Sequence, residues 1–191
     1  MNASIDIEQK VIETDRLILR AFKDTDLNDL FEYAKVEGVG EAAGWPHHKD
    51  IATSKVILDS FIQHKKVFAI VYKENQKVIG SLGIEKYKEK ELPEFKDLKG
   101  REIGYVLSKE YWGKGLMPEA VSAVIQYVFE ELSLDFLVCG YYKTNTQSKR
   151  VNEKCGFQFY KEIQYEATQL NQSILANLNL LRKEEWYNGK L

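Results

Sequence analysis

Cysteine is scarce in this chain. Its two cysteines, Cys139 and Cys155, show no CxxC spacing and cannot by themselves complete a zinc site, so neither a disulfide scaffold nor a zinc module is indicated. Cys139 lies inside the apolar run "FLVCGYY", which predicts a buried free thiol and a reducing compartment. An excess of basic charge is also missing. With 27 Lys and Arg against 29 Asp and Glu the net charge is -2, so no broad positive field exists to hold nucleic acid by counterion release. No run approaches the ~18 apolar residues of a membrane span. The opening "MNASIDIEQK" has no basic segment followed by an apolar one, and the expected location is the cytoplasm. Three prolines and twelve glycines in 191 residues speak against long disordered tracts. What is present, 44% hydrophobic and 29% charged residues, fits one domain with a substantial core.

Periodicity then divides the chain. "ETDRLILRAF" sets Leu17, Leu19 and Ala21 against Arg16 and Arg20, a strand pattern. "DTDLNDLFEYAK" aligns Leu27, Leu30, Phe31 and Ala34 on a helical face, with Asp24 or Thr25 as the expected N-cap. A glycine-rich loop, "VEGVGEAAGWPHHKD", separates it from a second helix over roughly Ile51 to Lys65. "VFAIVYK", the turn "ENQK" and "VIGSLGIEKY" predict an antiparallel hairpin, and the charged stretch from Lys88 to Gly100 reads as surface loop. "REIGYVLS" is a strand. Apolar positions from Ala120 to Leu132 recur at helical spacing, with Pro118 in the first turn. A strand over Phe136 to Tyr142 leads to a short helix opening near Asn145 and closing at Gly156. "FQFYKEIQYE" and "SILANLNLLR" read as strands, and "KEEWYNGKL" as a polar end.

Between strand and helix stands "YWGKGLMPEA", Tyr111 to Ala120. A helix N-terminus presents unpaired N–H groups and partial positive charge, and Gly113 and Gly115 remove the Cβ atoms that would keep a phosphate away. The same glycines would also serve a plain tight turn. A Walker A loop is excluded because Lys114 is followed by Gly115 instead of Ser or Thr. A dinucleotide fingerprint matches weakly, since Pro118 occupies its third glycine position.

Three segments in order, "IETDRLILRAF", "REIGYVLSKEYWGKGLMPEA" and "NTQSKRVNEKCGF", resemble the GNAT acetyltransferase superfamily, in particular its RimJ/RimL-type branch. The resemblance spans nearly the whole chain. It implies a single α/β (α+β) domain over residues 1–191, a mixed, mostly antiparallel twisted sheet flanked by helices. It implies acetyl-CoA as cosubstrate and no metal. Trp112, Gly113, Lys114, Gly115, Leu116 and Met117 match the pyrophosphate loop, Val106 and Leu107 lie on the strand that pairs with the pantetheine arm, and Asn145 and Ser148 match positions facing the same arm. Trp112 stands where the family often has Gln or Arg. Met117 stands where it has Gly or Ala, and would crowd the phosphates. The implied partner is an amine acceptor, with neither nucleic acid nor membrane; a homodimer is left open.

Attack of an amine on a thioester needs a proton acceptor, an oxyanion donor and a stabilised leaving sulfur. Glu102 is the expected base, on the strand beside the thioester, with Glu85, His47 and His48 behind it. Trp45, His47, His48 and Glu85 are the expected acceptor contacts. The oxyanion donor is expected to be a backbone N–H near Val106, where the strand leaves its neighbour. The tyrosine many such enzymes use as acid is matched here by Asn152, which leaves Tyr142, Ser148 or water. A noncatalytic CoA-binding module is the rival reading, and a nucleotide-linked oxidoreductase a more distant one.

Overall fold

A computed structural model describes residues 1–189. Eight strands form one sheet in the order β1-β2-β3-β4-β5-β6-β8-β7, made of β1 (Ile12–Glu13), β2 (Leu17–Ala21), β3 (Val67–Tyr72), β4 (Val78–Glu85), β5 (Gly100–Leu107), β6 (Phe136–Tyr142), β7 (Gln158–Ala167) and β8 (Gln172–Arg182). Every pairing is antiparallel except β5 with β6, which are parallel. Five helices accompany them: α1 (Leu27–Ala34), α2 (Ile51–His64), α3 (Leu116–Glu130), α4 (Thr146–Lys154) and α5 (Lys183–Asn188). The expected mixed, mostly antiparallel sheet is what forms.

The side-chain period of two divides the core between the faces. On one face Leu19, Phe68, Ile70, Ile103 and Leu137 pack with α3 residues such as Val121, Val124 and Val128. On the other, Val67, Ala69, Val71 and Val78 pack with Leu30 and Ala34 of α1 and Leu58 of α2. Burying each such side chain contributes roughly 1.5 to 3 kcal/mol. A third cluster corrects the reading of residues 88–100 as surface loop. Two 3₁₀ turns, Glu89–Glu91 and Pro93–Phe95, carry Leu92 and Phe95 down onto Phe136, Val138 and Leu178. The charged residues that dominate this stretch mask two apolar anchors.

Other local differences have plain causes. Neither Asp24 nor Thr25 caps α1; a 3₁₀ turn over Asp24–Asp26 precedes it. Asp26 instead accepts two hydrogen bonds from the Arg20 guanidinium, at 2.7 and 2.8 Å, and one from the Lys23 amide at 2.8 Å. α3 begins at Leu116, two residues before Pro118, which still lies in the first turn. The polar end folds into α5, while Lys190 and Leu191 of "KEEWYNGKL" lie outside the described residues.

Candidate active site

Strands β5 and β6 pair only at Gly100↔Phe136, Arg101↔Leu137 and Glu102↔Val138. Beyond Glu102 they part, and the gap opens into a cavity of about 600 Å³. A cleft of this size accommodates a small ligand. Alternation along β5 sends its side chains to opposite sides of that gap. Glu102 and Val106 share the face of α1 and α2, where Val106 packs, whereas Tyr105 joins Ile103 and Leu107 on the face of α3. Two half-sites result.

The half-site beside α3 is built from main chain. Ser108 donates to the Ile79 carbonyl at 2.8 Å, so ladder alternation turns the Val106 amide toward Ser81, its register partner. Near Val106, where the oxyanion donor is expected, the amides aimed into the gap are those of Tyr105 and Leu107; the expected point of departure is corrected, since β5 leaves β6 after Glu102, well before Val106. Trp112 Nε1 donates to the Leu107 carbonyl at 2.8 Å, tying the glycine loop to the end of β5. Gly113 and Gly115 both have φ +76°, a left-handed conformation that glycine adopts without strain. Outside the helix ladder, the amides from Gly113 to Met117 engage no carbonyl among the described residues. Arg16 holds the loop from behind, donating to the Lys114 carbonyl at 2.9 Å and to Glu119 at 2.7 Å. Met117, expected to crowd this concavity, is buried in the α3 core with Leu116 and lines the cavity with it. Asn145 caps α4 by accepting from the Ser148 amide at 3.0 Å, and Ser148 lines the cavity.

The deciding comparison is with the family model for the GNAT acetyltransferase domain, which matches residues 16–158 and so takes in both half-sites apart from Tyr165. The chain belongs to the GNAT acetyltransferase family. Its branch is the RimJ/RimL type, and its activity is N-acetyl transfer. The Bacillus subtilis (strain 168) protein named uncharacterized N-acetyltransferase YoaA is 28% identical over 153 residues, covering 78% of this chain and 82% of that protein. A GNAT-family acetyltransferase structure from Bacillus anthracis superposes with TM-score 0.79 at 21% identity, covering 92% of this chain and 99% of the other. The ribosomal-protein-S5-alanine acetyltransferase of Vibrio fischeri does so with TM-score 0.70 at 22% identity, over 93% and 98%. At these identities the structures speak for the fold alone.

In this acetyltransferase the second half-site is built from side chains. Glu102 lines the cavity and makes no hydrogen bond or ion pair among the described residues. Burial pushes its carboxyl up to about 7; Lys88 opposes the shift and Glu85, its register partner, adds to it. The sequence neighbour of Glu102, Arg101, does not pair with it. Arg101 is buried and donates through Nε to the Ala3 carbonyl at 2.7 Å. Glu85 also lines the cavity and forms an ion pair with Lys66. Tyr142 stands on the Glu102 side, its ring 5.8 Å from that of Tyr165 at a T-shaped angle, its hydroxyl buried without a partner. Burial pushes that phenol up to about 12.

Residues 38–47 roof this side through Val39, Ala42 and Ala43. Trp45, His47 and His48 do not line the cavity. His48 is buried with Nδ1 2.7 Å from Ser54 Oγ, and Trp45 packs against its ring at 5.2 Å. His47 Nδ1 sits 2.8 Å from Glu41 Oε1. That carboxylate, one of the acids flanking the glycine-rich loop, also accepts from the amides of Gly38 at 2.6 Å and His47 at 2.9 Å. Tyr105 and Tyr165 were missed. Alternation within "REIGYVLS" would have put Tyr105 opposite Glu102, whereas nothing local marks Tyr165, which reaches the cavity from β7.

Proposed function

We propose that the chain transfers acetyl from acetyl-CoA, the donor of its family, to a primary amine by direct attack, with Glu102 accepting the proton. The observation that carries this reading is the unpartnered Glu102 carboxylate at the last paired residue before the strands part. A carboxyl near 7 is half ionised at neutral pH, a good setting for a base. The open amides from Gly113 to Met117 at the head of α3 fit a diphosphate, and the gap-facing edge of β5 offers backbone partners to an amide-bearing arm. When bound, the donor supplies an activated acyl group on a thiol. In the chain, Tyr105 and Leu107 amides polarise the carbonyl in place of Val106, and Asn145 and Ser148 border the arm.

Tyr142, Tyr165, Glu85 and the 38–47 roof form the acceptor end. A protein N-terminus and a small amine are both admitted; the acylation of a ribosomal protein named for the Vibrio fischeri relative favours the former.

The test is a thermal shift followed by thiol release. CoA should raise the melting temperature while NAD does not, and an acetyl-CoA assay across peptide and small amines should release thiol with some of them. No stabilisation by millimolar CoA would remove the donor assignment. Stabilisation without turnover on any amine would return the noncatalytic module.

A further inference from the structure

The residue at the usual acid position, Asn152, is 1% exposed, with its Oδ1 buried without a partner among the described residues. Its Nδ2 donates to the Ser148 carbonyl at 3.0 Å, which settles the orientation of the amide, since a carbonyl must face the nitrogen. The same Nδ2 lies 3.1 Å from the Tyr105 hydroxyl and 3.3 Å from Cys139 Sγ. Nδ2 has two protons for these three neighbours: the Ser148 carbonyl takes one and the Tyr105 hydroxyl, nearer and a better acceptor than the sulfur, takes the other, so the proton of Tyr105 points the other way. Ser148 Oγ stands there, 2.8 Å from Tyr105 Oη. The Ser148 carbonyl, already engaged by Asn152, lies farther from Tyr105 Oη at 3.3 Å, so the shorter contact assigns the proton to Ser148 Oγ; among the described residues the Ser148 hydroxyl has no other hydrogen bond. Its O–H is free to donate into the cavity it lines.

We propose that Tyr105, reaching from β5 to α4, is a positioning residue that orients the Ser148 hydroxyl toward the departing sulfur. It thereby supplies from the sheet what Asn152 cannot supply from the helix. This inference rests on the acetyl-transfer reading above. It separates Tyr105 from Tyr142, which lies on the amine side of the gap and has no route to Ser148 through the hydrogen bonds described. In the step concerned, the amine nitrogen bonds to the carbonyl carbon and its proton passes to Glu102. The carbon–sulfur bond breaks, its electron pair goes to sulfur, and the Ser148 O–H hydrogen-bonds the thiolate until solvent protonates it on release. Burial keeps the Tyr105 phenol protonated throughout, so it acts as a fixed donor that never gives up its proton. The hydroxyls in series polarise one another, which strengthens the last donor in the chain.

The experiment compares wild type, Tyr105→Phe, Ser148→Ala and the double variant. Phenylalanine keeps the ring in its core site, and CoA affinity and melting temperature report whether the fold and donor site survive. Ser148→Ala should lower kcat by about a hundredfold, the scale of a lost oxyanion donor. Tyr105→Phe should cost about tenfold, as outer partners of working groups do elsewhere. The double variant should fall no further than Ser148→Ala, because the two act in series. A purely structural role is separated by a set of short acetyl thioesters with leaving thiols of graded acidity. Tyr105→Phe should be slowest with the least acidic thiol and recover with the most acidic. Equal losses across the thiols, multiplying losses in the double variant, or an unchanged kcat in Tyr105→Phe would each overturn the inference. A wild type that binds CoA yet turns over no amine would overturn the reading beneath it and the inference together.

Discussion

The two sides of the β5–β6 gap are built from different materials. Toward α3 the site is mostly main chain, amides of the glycine loop, the free edge of β5 and the capped start of α4, with the Tyr105 and Ser148 hydroxyls beside them. Toward α1 and α2 it is side chains: Glu102, Glu85, Tyr142 and Tyr165 under a roof held by Glu41. Main-chain donors are set by φ and ψ and hardly depend on residue type or pH. Side chains carry the titration, shape and charge that distinguish one acceptor from another. In the proposed function, a fixed donor is thus met by backbone and a variable acceptor by side chains. Substitutions on the two sides should therefore fail in different ways.

The largest effect should come from the amine side. Glu102→Gln keeps the shape and removes the base, and should lower kcat/KM by about 10² to 10⁴-fold with donor affinity unchanged. In wild type, kcat/KM should rise with pH through about 7 as the carboxyl ionises, and this limb should vanish in the variant. Stability should move in the opposite sense. A carboxyl raised from 4.5 to about 7 binds its proton more tightly when folded, so stability falls as pH climbs between those values. Glu102→Gln should therefore raise Tm at pH 8, by the equivalent of up to about 3 kcal/mol, and do little at pH 4. A loss of Tm together with activity would show Glu102 to be a structural group.

Backbone breakage should look different. At Gly115 a Cβ would meet nothing closer than Arg16 Nη2 at 3.7 Å, so space is not the obstacle to substitution. Conformation is: φ is +76°, and left-handed geometry costs an L-residue roughly 1 to 2 kcal/mol. Gly115→Val should reshape the loop and weaken CoA binding by at least about tenfold. Residual turnover at saturating donor should keep the wild-type pH profile. Titration calorimetry with CoA checks this, and an unchanged dissociation constant would contradict the anion role of the loop.

The legibility of the sequence follows the same division. The strands, the main helices and the glycine turn were readable because periodicity and the demand for positive φ are local properties. Glu102 was readable too, since its place on β5 comes from a strand pattern. Three things were not. The point at which β5 leaves β6 depends on pairing between strands distant in sequence, so the donor expected near Val106 could not be narrowed to the gap-facing amides of Tyr105 and Leu107. Whether Trp45 and His48 face ligand or core is decided by partners such as Ser54, which spacing does not reveal. The Lys88 to Gly100 stretch hid Leu92 and Phe95 among charges whose side chains reach solvent. In each case the missing information was tertiary.

The smallest effect should come from the roof on the amine side. Burial alone would raise the Glu41 carboxyl, but the amide of His47, its ring and the Gly38 amide outweigh this and hold it at about 2. A carboxylate depressed in the fold adds stability above its unfolded value of 4.5, and that stability is lost as pH falls toward about 2. The side chain is 32% exposed, so solvent screening reduces the contribution to about 1 kcal/mol. Glu41→Gln should accordingly lower stability at pH 7 by that amount, and the two proteins should converge as the medium is acidified from pH 4.5 toward 2. Because Val39, Ala42 and Ala43 stand over the acceptor end and the loop meets the donor side at Asn145, whose Nδ2 donates to the Ala42 carbonyl at 3.5 Å, the variant should raise KM for the amine severalfold and KM for acetyl-CoA much less. Steady-state kinetics with each substrate varied in turn decides the point: an equal rise in both constants would mean that the roof serves the whole cavity, and the division between a backbone side and a side-chain side would not extend to binding.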